Sequence, residues 1–162
     1  MTVRVGQGFD VHAFSDAPDR VLVLGGVVFD GEPGLLGHSD ADVIAHACAD
    51  ALLGAAGLGD IGTLFPSGDP ALAGADSVGL LAHAWAEVEA AGWRLVNAQV
   101  VLIGQEPRLA PHRDEMRGRL AGALGVEPDR VNVRATTTDR LGFTGRGEGL
   151  AAQAVALLER TG

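Results

Sequence analysis

A carboxylate and an imidazole lie two residues apart near the start of the chain, at Asp10 and His12. The surrounding run, 3–12, is typical of a β-strand, in which successive side chains point to opposite faces. Residues at i and i+2 therefore project together. One oxygen ligand and one nitrogen ligand on the same face make half of a divalent-metal site. The spacing predicts that the other half comes from a histidine elsewhere in the chain.

A second segment rich in His and Asp, residues 38–46, contains that histidine. A helix is expected to begin near Ser39 or Asp40, either of which can cap it, and to run through Leu53. In that helix Asp42 and His46 are four residues apart and share a face. The pattern of the helix alone favours a core or capping role for His46.

Beside Asp10 and His12, however, His46 completes a set of two imidazoles and one carboxylate. Such a set leaves coordination positions open, which is typical of a catalytic metal rather than a structural one. Zinc and non-haem iron both suit these ligands. The chemistry of the residues alone therefore leaves two metals open.

The elements that must position these ligands alternate between strand and helix. Residues 21–29 are expected to form two short strands joined through Gly25-Gly26, as a hairpin or a bulged arm. A helix over 77–91 is predicted to be capped by Asp76 and stopped by Gly92. The remaining predictions are strands at 93–103 and 131–137 and a helix at 111–124. Residues 150–158 permit helix or strand. This order indicates an α/β or α+β layered domain spanning residues 1–162.

The bulk composition narrows the class of protein. The chain has 162 residues, nearly half of them hydrophobic, and a formal net charge of −9. That charge argues against a nucleic-acid partner or an anionic membrane surface, since both recruit Lys and Arg. The single cysteine, Cys48, is expected to be a small core residue and favours a reducing, cytoplasmic setting. No signal-peptide pattern or membrane-spanning apolar stretch is present.

Two further segments have residue types suited to phosphate. Three consecutive threonines, Thr136 to Thr138, offer hydroxyl and backbone donors, and Asp139 could hold a hard cation such as Mg²⁺. A run of threonines is also common simply because Thr favours strands. The glycine-rich run 141–149 lacks the spacing of a dinucleotide fingerprint and indicates a tight backbone path, with Arg146 and Glu148 as a charge pair. No serine-hydrolase elbow is present.

Five segments together closely resemble the 2-C-methyl-D-erythritol 2,4-cyclodiphosphate synthase family, in the family's order and spacing. They are Gly8-Phe9-Asp10-Val11-His12, His38-Ser39-Asp40-Ala41-Asp42, Asp60-Ile61-Gly62, Ala135-Thr136-Thr137-Thr138 and Leu141-Gly142-Phe143-Thr144-Gly145-Arg146-Gly147-Glu148-Gly149. The resemblance implies an enzyme that closes a cyclic diphosphate and releases CMP. It implies an α+β two-layer sandwich, with three helices on one face of a mixed sheet and a small hairpin arm. It further implies that the C-terminal run is a strand and that the protein is a homotrimer.

The resemblance also assigns roles to residues. It implies that Asp10, His12 and His46 bind Zn²⁺ or another divalent metal, and that Asp139 binds Mg²⁺ or Mn²⁺ on the diphosphate. His38 and Thr137 join these four as catalytic residues. The implied substrate-binding residues are His38, Ser39, Asp60, Ile61, Gly62, Phe65, Gly104, Arg108, Leu109, Ala135, Thr136, Thr137, Asp139, Phe143 and Arg146. The cytidine end of each substrate is expected to lie largely against the neighbouring subunit.

Four positions depart from the family pattern. Asp139 stands for a usual Glu, and its shorter arm changes how Mg²⁺ is reached, because this ion demands near-octahedral geometry. Ser67 stands for a frequent Asp, and Gly104 for a usual Ala. Arg108 stands for a usual Lys, which keeps the charge but changes the donor geometry.

Two other function classes compete with the synthase. The two-histidine, one-carboxylate set also suits an iron oxygenase, but the threonine segment argues for a phosphate substrate. A trimeric, non-catalytic protein that binds an isoprenoid diphosphate in a central cavity is the second alternative. By resemblance Phe143, Arg146 and Glu148 would line that cavity, which could equally serve as a feedback site beside catalysis.

Overall fold

The computed structural model describes residues 1–162 and contains six strands and five α-helices. The strands are β1 (Val3–Ala13), β2 (Leu22–Leu24), β3 (Val27–Phe29), β4 (Trp93–Ile103), β5 (Val131–Thr136) and β6 (Gly149–Arg160). The helices are α1 (Val43–Ala56), α2 (Ile61–Leu64), α3 (Ser77–Ala90), α4 (Arg113–Ala123) and α5 (Gly142–Gly145). None of these helices has the length and apolarity that crossing a bilayer requires.

Four strands form a mixed sheet in the order β1-β6-β4-β5. Strand β6 is antiparallel to both of its neighbours, whereas β4 and β5 run parallel. Helix α3 packs between α1 and α4, and all three helices contact the sheet. Strands β2 and β3 form a separate antiparallel hairpin. The predicted mixed sheet, its three longer helices and the hairpin arm are confirmed. Trimer assembly stays a prediction.

Small residues on β1 and β6 let α1 lie very close to the sheet. Gly6 and Gly8 of β1 pair with Ala156 and Ala154 of β6. A Cβ atom on either glycine would collide with the backbone of α1, at the carbonyl oxygen of Ala51 or Ala47. The glycines are therefore required by the spacing between helix and sheet, and that spacing sets how closely the histidine of α1 approaches β1.

The C-terminal run is a central strand, although its Ala and Leu content favours helix. β6 hydrogen-bonds to β1 along one edge and to β4 along the other. Two ladders and burial under α1 outweigh an intrinsic helix preference of a few tenths of a kcal/mol per residue. The strand implied by the family resemblance is confirmed, and the helical alternative is wrong.

The start of α1 differs from the predicted one. The helix begins at Val43, and Asp42 is its N-cap, accepting hydrogen bonds from the backbone N–H groups of Ile44 and Ala45. The prediction that Ser39 or Asp40 caps it is wrong, because Ala41 has a left-handed φ of 57° that no helix continues through. Asp42 therefore does not share a helix face with His46.

Other boundaries move by one to three residues. Helix α1 continues to Ala56 and ends at Gly57, whose φ of 77° makes it a left-handed C-cap. Asp76 caps α3 as predicted. Residues 110–112 form a 3₁₀ turn, so α4 begins later than expected. The one-turn helices α2 and α5 carry no periodic signal in the sequence, since each has only four residues.

Candidate metal centre and substrate pockets

The Asp10, His12 and His46 side chains meet at one point between β1 and α1. Asp10 Oδ2 lies 3.2 Å from His12 Nε2 and 3.1 Å from His46 Nδ1. The ligand atoms of all three residues lie within 4.8 Å of one another. One carboxylate oxygen and two imidazole nitrogens so close together fit a divalent ion with open coordination positions. The structure thus brings together the three ligands that the spacing predicts.

The three residues are coupled electrostatically. Burial by itself would raise the pKa of the Asp10 carboxyl, but hydrogen bonds and charge from His12 and His46 outweigh burial and lower it. Burial opposes ionisation of His46 too, yet the hydrogen bond and charge of Asp10 raise the pKa of its imidazole. The carboxylate is therefore ionised at neutral pH, as a metal ligand must be.

Two of the three candidate metal ligands, His12 and His46, line one wall of a pocket of about 210 Å³, and Asp10 lies behind them, in contact with both. Five of the predicted substrate-binding residues also line it: His38, Ser39, Ile61, Gly62 and Phe65. Ser67, the departure from the family pattern, lies at the same pocket. His38 Nε2 is 2.7 Å from the carbonyl oxygen of Asp69, which orients the imidazole. The pocket therefore combines two candidate metal ligands with polar and aromatic side chains.

Two aspartates fix the α2 wall of this pocket. Asp60 caps α2 and accepts hydrogen bonds from the backbone N–H and the hydroxyl of Thr63, which lower the pKa of its carboxyl. Asp50, on α1, accepts a hydrogen bond of 2.7 Å from the backbone N–H of Ile61. Asp60 is exposed, so it can cap the helix and still face a ligand. Asp50 was absent from the predicted site because nothing in the sequence links it to α2.

A second pocket, of about 250 Å³, lies at the ends of β4 and β5. It brings together six of the predicted substrate-binding residues: Gly104, Arg108, Leu109, Ala135, Thr136 and Thr137. The Leu109 side chain is buried in the core, so only its backbone can contact a ligand. The two pockets share no lining residue. A single chain therefore holds the two halves of the predicted site in separate places.

The predicted magnesium ligand lies in the turn after β5. Asp139 is exposed and has a left-handed φ of 52°. Its carboxylate accepts a long hydrogen bond of 3.4 Å from the Thr137 hydroxyl. The Thr138 hydroxyl instead bonds within the loop, to the Leu141 carbonyl and the Thr144 hydroxyl. Of the three threonines, only Thr136 and Thr137 therefore line the second pocket.

Phe143 and Arg146 lie away from both pockets. Phe143 is exposed, and Arg146 Nε donates a 2.7 Å hydrogen bond to Glu148 Oε2. The predicted charge pair therefore forms. Neither residue meets the metal ligands within one chain, and their place in the predicted site depends on assembly.

Arg20 is a functional residue that reasoning from the sequence missed. Its guanidinium donates to three carbonyl oxygens of the segment that carries His38: Leu35 at 2.6 Å, Gly37 at 3.0 Å and Ser39 at 2.5 Å. The segment has no regular structure. The three hydrogen bonds from the Arg20 guanidinium therefore satisfy carbonyl groups that a helix or strand would pair internally. Nothing in the local sequence marks a lone arginine for this role.

Asp42 also has a role different from the predicted one. It is fully buried and accepts hydrogen bonds from the backbone N–H groups of Gly25 (2.9 Å) and Gly26 (2.8 Å) as well as from α1. These two glycines have φ values of 58° and 76°, as a two-residue hairpin turn requires. Asp42 thus joins the hairpin to the first turn of α1, where His46 lies.

Known proteins resemble this chain along nearly its whole length. A 2-C-methyl-D-erythritol 2,4-cyclodiphosphate synthase from Moorella thermoacetica is 58% identical over 156 residues, 96% of this chain and 94% of the relative. Its counterpart from Rubrobacter xylanophilus is 61% identical over 158 residues, 97% and 95% of the two chains. The solved CDP complex of IspF from Plasmodium falciparum superposes with a TM-score of 0.86 at 29% identity, covering 99% and 97% of the two chains.

The family model of the YgbB family matches residues 3–159. This match covers both pockets and all three metal ligands. It confirms the family resemblance predicted from the five motifs. The chain belongs to the YgbB family.

Proposed function

We propose that this chain is a 2-C-methyl-D-erythritol 2,4-cyclodiphosphate synthase, a metal-dependent lyase of isoprenoid biosynthesis. Its substrate is 4-diphosphocytidyl-2-C-methyl-D-erythritol 2-phosphate. The 2-phosphate oxygen attacks the β-phosphorus, the bond from that phosphorus to the α-phosphate oxygen breaks, and CMP leaves. The observation that carries this proposal is the convergence of Asp10, His12 and His46 beside a pocket that the two histidines line, in a chain of this family.

The first pocket is suited to the methylerythritol phosphate half of the substrate. Ser39 and His38 supply hydroxyl and imidazole groups there. Gly62 lines the pocket and Asp60 caps the adjoining α2, so both would lie near the sugar hydroxyls. Phe65 gives the pocket an apolar wall. These groups would hold the 2-phosphate beside the metal ligands, and alignment of this kind supplies a large part of the rate of an intramolecular attack.

The second pocket is suited to the CMP half. The Thr136 and Thr137 hydroxyls and the Arg108 guanidinium can donate hydrogen bonds to phosphate oxygens. The two pockets share no lining residue within one chain, and pockets of neighbouring chains could hold the two ends of one substrate. We therefore propose a homotrimer in which each site is completed across an interface. The CDP complex of the Plasmodium relative supports a nucleotide ligand.

No residue of this chain has to act as a strong general base. The nucleophile is already an anionic phosphate, and the leaving group is a nucleoside monophosphate that needs little protonation at neutral pH. When bound, zinc on Asp10, His12 and His46 and magnesium or manganese on Asp139 would serve as Lewis acids that neutralise phosphate charge. The protein's own part is to orient the two phosphates in line and to exclude water.

A regulatory ligand is a further part of this proposal. Phe143 and Arg146 are exposed and lie outside both pockets, which suits a role at the axis of a trimer. An isoprenoid diphosphate would place its tail on Phe143 and its phosphates on Arg146, which would share its charge with Glu148. Unchanged turnover in the presence of isoprenoid diphosphates, or undiminished binding by Arg146→Ala, would contradict this role.

The test is CMP release from the proposed substrate, measured with and without Mg²⁺ and before and after zinc chelation. We expect metal-dependent release with a cyclic diphosphate as the second product. Re-addition of zinc to the chelated protein should restore the rate and serves as the control for damage by the chelator. No CMP release from metal-loaded protein would overturn the synthase assignment and favour a non-catalytic diphosphate-binding protein.

A further inference from the structure

A buried serine and an aspartate lie behind His46, on the side away from Asp10. His46 Nε2 is 2.8 Å from the hydroxyl oxygen of Ser77, the first residue of α3. The Ser77 hydroxyl in turn hydrogen-bonds to Asp40 Oδ1. The Ser77 side chain is fully buried. The three groups form a line that ends at a predicted metal ligand.

The order of donors and acceptors along this line fixes the position of one proton. The Asp40 carboxylate accepts hydrogen bonds from the backbone N–H groups of Ser77 and Asp42, both at 3.1 Å. A carboxylate only accepts, so the Ser77 hydroxyl must donate to it. The hydroxyl oxygen then has only lone pairs left for His46, so the 2.8 Å contact with Ser77 places the hydrogen on Nε2. The Ser39 hydroxyl is the only other group at this nitrogen, and it is farther away, at 3.3 Å. In the neutral imidazole this leaves Nδ1 with a free lone pair.

Asp10 favours the opposite tautomer of His46, with the hydrogen on Nδ1. Asp10 Oδ2 lies 3.1 Å from His46 Nδ1 and would itself accept a hydrogen from that nitrogen. A hydrogen on Nδ1 would block the atom that faces the other two ligands. Without a second acceptor on the far side, the neutral ring would favour this unproductive tautomer. Ser77 and Asp40 provide that acceptor.

We propose that Ser77 and Asp40 are positioning residues that hold the hydrogen of His46 on Nε2, so that Nδ1 is free to bind metal. The inference rests on the metal centre proposed above and deepens it. His12 has no such support, because its Nδ1 has no hydrogen-bond partner in the chain. We call the hydrogen bonds from His46 to Ser77 and from Ser77 to Asp40 the relay. It acts on only one of the two histidines. Outer partners of this kind are known to orient ligating imidazoles and to raise metal affinity.

Ser77 and Asp40 also stabilise the start of α3, so the experiment must separate that structural role from an effect on His46. Asp40 accepts the N–H of its first residue, and Asp76 accepts the N–H of Val78 one residue later. Asp76 is exposed and does not contact His46. Asp76→Ala is therefore a matched control: it weakens the same helix end but leaves the relay intact.

The first measurement is the tautomer of His46 in zinc-free protein labelled with ¹⁵N-histidine. Spectra are recorded at about pH 9, above the ordinary histidine pKa of about 6.5, for the parent, Ser77→Ala and Asp76→Ala. We expect Ser77→Ala to increase the share of the tautomer protonated on Nδ1, and Asp76→Ala to keep the parent's ratio. This measurement does not need bound metal or activity.

The second measurement is zinc affinity, by competition with a chromophoric chelator. We expect Ser77→Ala to bind zinc about ten- to a hundredfold more weakly than the parent, and Asp76→Ala to match the parent. If Ser77→Ala does not fold, Asp40→Asn replaces it in both measurements, since it removes the charge that orients the hydroxyl while the hydroxyl stays.

An unchanged tautomer ratio together with zinc affinity within about twofold of the parent would overturn the relay. A parent chain that binds no zinc would overturn the proposed metal centre instead. In that case the tautomer ratio alone decides whether Ser77 and Asp40 hold the hydrogen of His46, so the two failures are distinguishable.

Discussion

Asp10 is the residue that joins the two histidines, since its Oδ2 atom lies within 3.2 Å of a ring nitrogen of each. Asp10→Ala removes the only anionic ligand of the cluster. We expect the CMP-release rate to fall at least about a hundredfold, the scale seen when one charge-stabilising group is removed from a reacting centre. His46→Ala should behave alike.

Folding should be little affected by Asp10→Ala, because the side chain is a partly exposed group at the edge of the core. We expect the free energy of unfolding to stay within about 1 kcal/mol of the parent's. Asp129→Ala, at an exposed aspartate in a 3₁₀ turn, is the control for a general effect of lost charge. Turnover like the parent's in Asp10→Ala would show that the cluster is not the reaction centre.

Asp42 carries a buried charge with a distinct pH signature. Burial raises the pKa of its carboxyl to about 6, although hydrogen bonds from Gly25, Gly26 and Ala45 oppose the rise. In the unfolded chain the group ionises near its ordinary pKa of about 4. Between about pH 4 and pH 6 the folded state therefore binds more protons, and this contribution to stability falls as the pH rises.

The pH dependence that Asp42 gives to the free energy of unfolding can be measured by comparison with Asp42→Asn, whose side chain does not titrate. A difference of about two pKa units corresponds to about 3 kcal/mol. We expect the unfolding free energy of the parent, minus that of the variant, to decrease by about this amount from pH 4 to pH 7. Chemical denaturation at a series of pH values measures it. A difference that does not change with pH would mean that Asp42 keeps an ordinary pKa when folded.

Among the elements, the pair β1 and α1 determines the metal centre. Gly8→Ala would force a Cβ atom against the backbone of α1 at Ala47, next to His46. We expect a loss of about 3 kcal/mol in stability, at the upper end for overpacking, and weaker zinc binding because the helix must shift. Thermal unfolding and chelator competition measure the two effects.

Gly118→Ala is the matched control for Gly8→Ala. Gly118 lies in α4, and a Cβ atom there meets no neighbour within 4 Å. A helix interior favours Ala over Gly by about 1 kcal/mol, so this variant should be more stable than the parent and bind zinc equally well. Equal stability of the two variants would show that α1 does not depend on the glycine.

Arg20 holds the segment that carries His38 through three carbonyl oxygens. Arg20→Lys keeps the charge but loses the planar fork. We expect a higher KM and a stability loss of about 1 to 3 kcal/mol, the cost of buried acceptors left without partners. Steady-state kinetics and denaturation measure these changes. Unchanged kinetics would mean that the segment holds its position without the arginine.

At the scale of the whole molecule, one face of the sheet has no helix on it. Val5, Phe9 and Val155 lie on this face and are exposed by 68%, 53% and 36%. Apolar side chains in a continuous exposed group typically mark an association surface. In the proposed trimer, neighbouring chains would cover this face and complete each site across the interface.

Val155→Glu tests this assembly, because a charge in an apolar interface costs several kcal/mol unless it is paired. We expect sedimentation to show monomers in place of trimers and CMP release to be lost with them. Val28→Glu is the control: Val28 is also half exposed, but it lies on the hairpin outside this sheet. A Val155→Glu trimer with full activity would contradict the proposed interface.

The local order of residues determines several features of this protein without tertiary information. The spacing of Asp10 and His12 places both on one face of a strand, because side chains alternate with a period of two. The pair Gly25-Gly26 specifies a tight hairpin, because both positions require a positive φ. Asp76 caps α3 as the sequence indicates. Each of these depends on contacts within a few residues.

Other features are decided only by contacts distant in sequence. The Ala-rich run of β6 becomes a strand because β1 and β4 pair with its two edges. Asp42 accepts hydrogen bonds from the hairpin instead of sharing a helix face with His46, and Ser77 reaches His46 across 31 positions. Local preferences of a few tenths of a kcal/mol cannot determine such contacts, since burial and hydrogen bonding formed on folding exceed them.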